Sequence, residues 1–198
     1  MDRYVFIGTG RLLDPSDLAV PSPAQQQDLY AIRDDSLSTP LPAASLPIDA
    51  HALPNINADG VSAIVGGAPN GWRHDLPTGV TAERIVNDVE GDVNTITYIG
   101  TQLQPDPCII ALPANIYARE YTTGRSLLAD SAGKPVASVF SPSGGVGIQV
   151  IGLTDPKTGE VKLGGLLSLE VPGTSPIVFV PPTILGNNRF GFRLLGGQ

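Results

Sequence analysis

Prolines at positions 15, 21, 23, 40, 42, 47 and 54 constrain this chain more than any other feature. Proline lacks a backbone N–H and fixes φ, so a run this dense excludes helix interiors and central sheet strands. The stretch reads as extended or polyproline-like chain broken by turns. Ser22-Pro23-Ala24-Gln25 is the exception, because it forms a capping box with proline at the first helical position. A short helix is therefore expected near 23–34, with Leu29 and Ile32 on one face. Leu41, Leu46, Ile48 and Leu53 lie scattered among the later prolines. A solvated linker has little use for such residues, so residues 1–58 read as an arm laid on a surface. That surface belongs to the arm's own domain or to a neighbouring subunit.

Residues 59–198 have a different texture, with glycine replacing proline as the main punctuation. Short apolar segments alternate with turn signals, beginning with Val61–Val65 before Gly66-Gly67. Thr81 is placed to cap a short helix over Ala82–Val89, with Val80 stapled onto Ile85, and a strand over Arg84–Val89 fits almost as well. Strands are expected at Val93–Ile99, Cys108–Leu112, Ile116–Tyr121, Val136–Phe140 and Gly147–Leu153. Others follow at Glu160–Leu163, Leu166–Val171, Ile177–Val180 and Phe190–Leu194. Asp130–Pro135 and Asp155–Gly159 read as the turns of hairpins. An opening strand, Tyr4–Ile7, precedes the arm's prolines. The expected class is mainly β: a β-sandwich, jelly roll or barrel body with one or two short helices.

Charge narrows the partners. Twelve basic and 19 acidic residues leave a net charge of −7, which repels phosphate backbones and makes nucleic acid an unsuitable ligand. The start Met1-Asp2-Arg3-Tyr4 has no signal-peptide pattern, and no apolar run reaches the ~20 residues of a membrane span. The single cysteine, Cys108, has no disulfide partner in the chain and reads as an apolar filler.

Catalytic motifs fail on inspection. Gly8-Thr9-Gly10 follows a strand, but Leu13 stands where a dinucleotide fingerprint needs its third glycine. Ser143–Gly147 lacks the Lys-Ser/Thr pair of a phosphate loop, and no Gly-x-Ser-x-Gly elbow occurs. His51 and His74 each have an aspartate nearby, but one lies in the arm and the other in the body, so no metal site is assigned. Aspartates outnumber glutamates 14 to five and fall mostly at turns, where their side chains bond the local backbone. No catalytic, cofactor or metal residue is expected. Asn70-Gly71-Trp72-Arg73-His74 groups the only tryptophan with two cations in what reads as a surface loop, a composition enriched at interfaces. The contact candidates are Leu29, Ile32, Leu41, Leu46, Ile48, Leu53, Trp72, Arg73 and His74.

In overall style the chain resembles bacteriophage virion structural proteins: a proline-rich arm, a Gly/Thr/Ser/Asn-rich β-domain, one cysteine and few lysines. Residues 1–58 are similar to the arms by which capsid decoration (cement) and tail proteins grip their neighbours. The resemblance implies a non-enzymatic cement protein clamping shell subunits, with the major capsid protein or other virion subunits as partners. It also implies a homo-oligomer, a trimer by analogy, assembled in the host cytoplasm into the virion. A tail, baseplate or fibre-attachment protein is the alternative within the class. A carbohydrate- or peptide-binding β-sandwich is the alternative outside it, and would need a concave aromatic platform.

Overall fold

The structure, a computed structural model, describes residues 2–10, 26–36, 46–92, 94–102, 112–130, 132–145, 147–154, 161–168 and 177–179. It is mainly β, with thirteen strands and two single-turn 3-10 segments, Ala50–Ala52 and Gly79–Thr81, among these residues. The strands are β1 (Asp2–Gly8), β2 (Asp28–Ser36), β3 (Gly71–Asp75), β4 (Glu83–Arg84), β5 (Glu90–Asp92), β6 (Thr95–Gln102) and β7 (Ala114–Glu120). They continue as β8 (Leu128–Ala129), β9 (Pro135–Val136), β10 (Val139–Ser141), β11 (Gly147–Thr154), β12 (Val161–Ser168) and β13 (Ile177–Phe179). Three antiparallel sheets result, ordered β1-β2-β3, β10-β7-β6-β4 with β5 also on β6, and β11-β12-β13, and β8 and β9 form a hairpin.

The first sheet corrects the helix expected near 23–34: from Asp28 onward the chain is strand, and 22–25 lie outside the described residues. Leu29 and Ile32 do sit three apart, but Leu29 and Ala31 also alternate with Tyr30 and Ile32. Sheet partners on both sides of β2 satisfy its backbone and decide between the two patterns. Phe6, Ala31 and Trp72 stand in one cross-strand row, and Gly8, Leu29 and His74 in the next. These rows face inward. Ile7, Tyr30 and Arg73 form an outward row between them.

Part of the expected arm therefore lies in the chain's own sheet. Residues 53–57 also run along β3, with Arg73 N–H donating to Pro54 O and Ile56 N–H to Arg73 O. Residues 11–25 and 37–45, with Leu41, lie outside the described residues, as do the expected strand at Phe190–Leu194 and all but Leu112 of the one expected at Cys108–Leu112.

Tyr98 faces Tyr117 and Ile99 faces Ile116 across the β6–β7 pair. The inward rows of the first sheet meet Ile96, Tyr98 and Tyr117, giving a core of Leu29, Ala31, Ile64, Trp72, Leu76 and Ile85 around them. The other face of β7 carries Ala118, packed with Leu127 and Leu128. From Thr95 to Thr101 every residue of β6 is buried, so it is covered on both faces rather than the half-buried strand its partial alternation suggests.

One further expectation is corrected. Ala82–Val89 is not helical: a 3-10 turn ends at Thr81 and β4 follows at once. The apolar segment Val61–Val65 lies in turns, fastened by the Asp59 carboxylate, which accepts from Val61 N–H, Ser62 N–H and Ser62 Oγ. The turn at Asp130 forms as read, with its carboxylate accepting from Ala132 and Lys134 N–H at 2.9 Å each and Gly133 at φ +79°. Thr154 faces Val161, which makes β11 and β12 the antiparallel arms expected on either side of 155–160. No helix among the described residues is long and apolar enough to cross a membrane.

Candidate functional site

The densest chemistry lies between the first two sheets. His74 on β3 and Arg119 on β7 both reach Tyr98 on β6: His74 Nδ1 is 2.6 Å and Arg119 Nε 2.8 Å from Tyr98 Oη. A guanidinium only donates, so the phenol oxygen accepts from Arg119, and its own proton is free to go to His74 Nδ1. That direction of the bond corresponds to the neutral His74 tautomer with its proton on Nε2. Burial, seconded by the Arg119 charge, pushes the His74 pKa well below 6.5. Arg119 is itself fully buried and also donates to Gly60 O and Gly124 O. It stands 5.6 Å from the centre of the Tyr117 ring.

Glu83 occupies the other end of the same layer. It is 1% exposed and accepts from Tyr117 Oη at 2.8 Å and Asn115 Nδ2 at 2.6 Å. Burial raises its pKa, against hydrogen bonds from Asn115, Tyr117 and Gln102 that favour the charged form. Gly100 makes the position possible, because a Cβ there would collide with Glu83 Oε2. Tyr98 and Tyr117 stack at 4.8 Å between the two charges, and His74 meets Tyr117 edge-on at 4.9 Å. Burial pushes the Tyr98 phenol to about 12 and raises that of Tyr117, so both remain donors. The cluster is a buried layer of two hydrogen-bonded groups joined by the Tyr98–Tyr117 stack, and its His74–Tyr98 bond ties the first sheet to the second.

A second polar group covers the outward face of β2 and β3. Asp28 and Asp75 are cross-strand partners. Tyr30 Oη donates to Asp28 Oδ2 at 2.7 Å and lies 3.4 Å from His51 Nδ1, while Arg73 pairs with Asp75. Burial raises the Asp28 pKa, the Tyr30 hydrogen bond opposes the rise, and Asp75 adds to it. Tyr30 is pushed up to about 12 by burial and by Asp28.

The contact candidates divide sharply. Leu29, Leu53, Trp72 and His74 are buried in this chain and are core residues. The expected loop around Trp72 is strand β3, and Trp72 Nε1 donates to Tyr121 O at 2.7 Å. In the sequence Gly71 has the character of a loop flank. Its φ of +113° and the lack of room for a Cβ beside Ala31 O instead mark the entry to a strand. Ile32, Ile48 and Arg73 are half-buried, and Leu46 is exposed. His51 and His74 lie on opposite sides of the first sheet, and no group of three metal-ligating side chains converges among the described residues. Spacing along one strand gives no sign of Glu83, Tyr98, Tyr117 and Arg119, because the layer they form with His74 is assembled from four strands. Comparison with family models, curated proteins and solved structures finds no match.

Proposed function

We propose that the protein is a non-enzymatic structural subunit of a phage particle, of the capsid decoration type that clamps neighbouring shell subunits. In this reading the body is a β-sandwich, the proline-rich stretches supply gripping arms, and the protein works as a homo-oligomer. One observation carries it. His74, Tyr98 and Arg119 are hydrogen-bonded together in the buried core and Glu83 to Tyr117, while large apolar side chains stand outside: Val5, Ile7, Leu46, Val65 and Phe140. A buried polar layer bonded in this way supports a rigid scaffold, and exposed apolar residues support contact with other chains. The glycan-binding alternative is less favoured, because Trp72, Tyr98 and Tyr117 lie in the core rather than on a platform.

The test is mass spectrometry of density-gradient-purified particles from cells that carry the gene. The expected result is this chain at a constant ratio to the shell subunit. Its absence from the particles, with the protein left in the cell extract, would overturn the proposal.

A further inference from the structure

Asp28 and Asp75 stand directly opposite each other where β2 begins and β3 ends. Cross-strand partners hold their Cβ atoms ~5 Å apart on one face of the sheet, where like charges repel. The charged and titratable groups that face Asp28 among the described residues are Tyr30 on β2, Arg73 and Asp75 on β3, and His51 on the 3-10 turn Ala50–Ala52. Arg73 pairs with Asp75 and gives its Nε–H to Leu53 O, while no described residue forms an ion pair with Asp28.

The hydrogen bonds of Asp28 are incomplete in a telling way. The residue is 6% exposed, its Oδ2 accepts from Tyr30 Oη at 2.7 Å, and its buried Oδ1 receives no donor. A buried carboxylate oxygen without a donor is costly, and a second carboxylate beside it makes it more so. One proton on Asp28 Oδ1, donated to Asp75, removes both difficulties. Asp28 then accepts at one oxygen and donates at the other, and the Arg73 guanidinium offsets the single negative charge that remains. Burial and the hydrogen-bonding contact with Asp75 both favour this protonated form.

From this geometry we infer that Asp28 and Asp75 share one proton and form a pH-sensitive latch between β2 and β3. The latch is closed in acid. Its contribution is complete below the usual aspartate value of 3.8 and is lost as pH rises through the raised folded value of Asp28. Above that value two negative charges face one guanidinium. The backbone bonds at this end of the sheet, Asp28 N–H to Thr9 Oγ1 and Leu76 N–H to Gln27 O, are then the first to open. The 3-10 turn rests on the same place, with the His51 ring edge-on to Tyr30 at 6.1 Å, and its hold on the sheet weakens with the latch.

Two measurements on the full-length chain test this. NMR titration of the chain labelled with 13C at its aspartate carboxyls is expected to place the Asp28 midpoint at least about one pH unit above 3.8. Asp75→Asn should lower that midpoint by about one unit or more, because the like charge is gone and an amide donor replaces it. Hydrogen exchange reads the latch itself. Relative to the Tyr98 amide, protection factors of the Asp28 and Leu76 amides should fall above the midpoint, by up to about tenfold per pH unit. They should stay level in Asp28→Asn, whose amide both donates to Asp75 and accepts from Tyr30. An Asp28 midpoint less than one unit above 3.8, or one unmoved by Asp75→Asn, would overturn the inference. So would a fall in protection that is absent from the wild type or repeated in Asp28→Asn.

Discussion

His74 and Glu83 lie in one buried layer and respond to pH in opposite senses. The folded-state pKa of His74 is depressed, so the unfolded chain takes up a proton first as pH falls below 6.5. The stability that neutral His74 contributes is complete above that value and is lost on acidification. Its slope approaches about 1.4 kcal/mol per pH unit until the folded state also protonates. Urea melts between pH 7.5 and 5.5 should show this slope in the wild type and lose it in His74→Gln, whose amide oxygen can still accept from Tyr98. Equal slopes would mean that His74 is not held neutral. Glu83 runs the other way. Its raised pKa means that its contribution is fullest below 4.5 and declines as pH rises through the folded value. Near pH 8, Glu83→Gln should therefore change stability by under about 1 kcal/mol. Glu83→Ala, which strands the Asn115 and Tyr117 donors, should cost about 2–4 kcal/mol in the same melts.

Between elements, the stability of the polar layer depends on glycines that let backbone or carboxylate come close. At Gly100 an added methyl meets both Glu83 Oε2 and the Tyr117 ring, at 3.1 Å from the latter. Gly100→Ala should cost about 2–3 kcal/mol. In a Glu83→Ala background the collision with the carboxylate disappears, so the two substitutions should couple by at least about 1 kcal/mol in a double-mutant cycle. Strict additivity would show that Gly100 and Glu83 act separately. Gly71→Ala faces both a left-handed φ and the Ala31 carbonyl. A loss of at least about 2 kcal/mol is expected from thermal melts.

These elements also show what local sequence can and cannot reveal. The strands near Tyr4–Ile7, Val93–Ile99 and Ile116–Tyr121 were legible because period-two apolar patterns and turn residues are local properties. The Asp130 turn was legible because one side chain closes it. β2 was misread because its residues satisfy two periods, and only the flanking strands β1 and β3 choose between them. The Tyr98–Tyr117 layer was invisible for a related reason: its members come from β3, β4, β6 and β7, and register alone brings them together.

At the scale of the molecule, an early strand and the central sheet share one core. Leu29 and Ala31 pack with Trp72, Ile96 and Tyr117, although the change from proline-rich to glycine-rich sequence falls between them. If that core is one cooperative unit, Trp72, the only tryptophan and fully buried, reports on the unfolding of both sheets. Its emission should red-shift with the same denaturant midpoint as the far-UV circular dichroism signal. Leu29→Ala removes a buried side chain at the interface and should cost about 2–5 kcal/mol, lowering both midpoints together. An appended arm would behave differently. The fluorescence midpoint would then fall while the circular dichroism midpoint stayed in place, since most of the strand content would remain in a body that folds without β1 and β2. Coincident midpoints in the wild type and in Leu29→Ala are expected, because a single apolar cluster cannot lose one wall and keep the other dry.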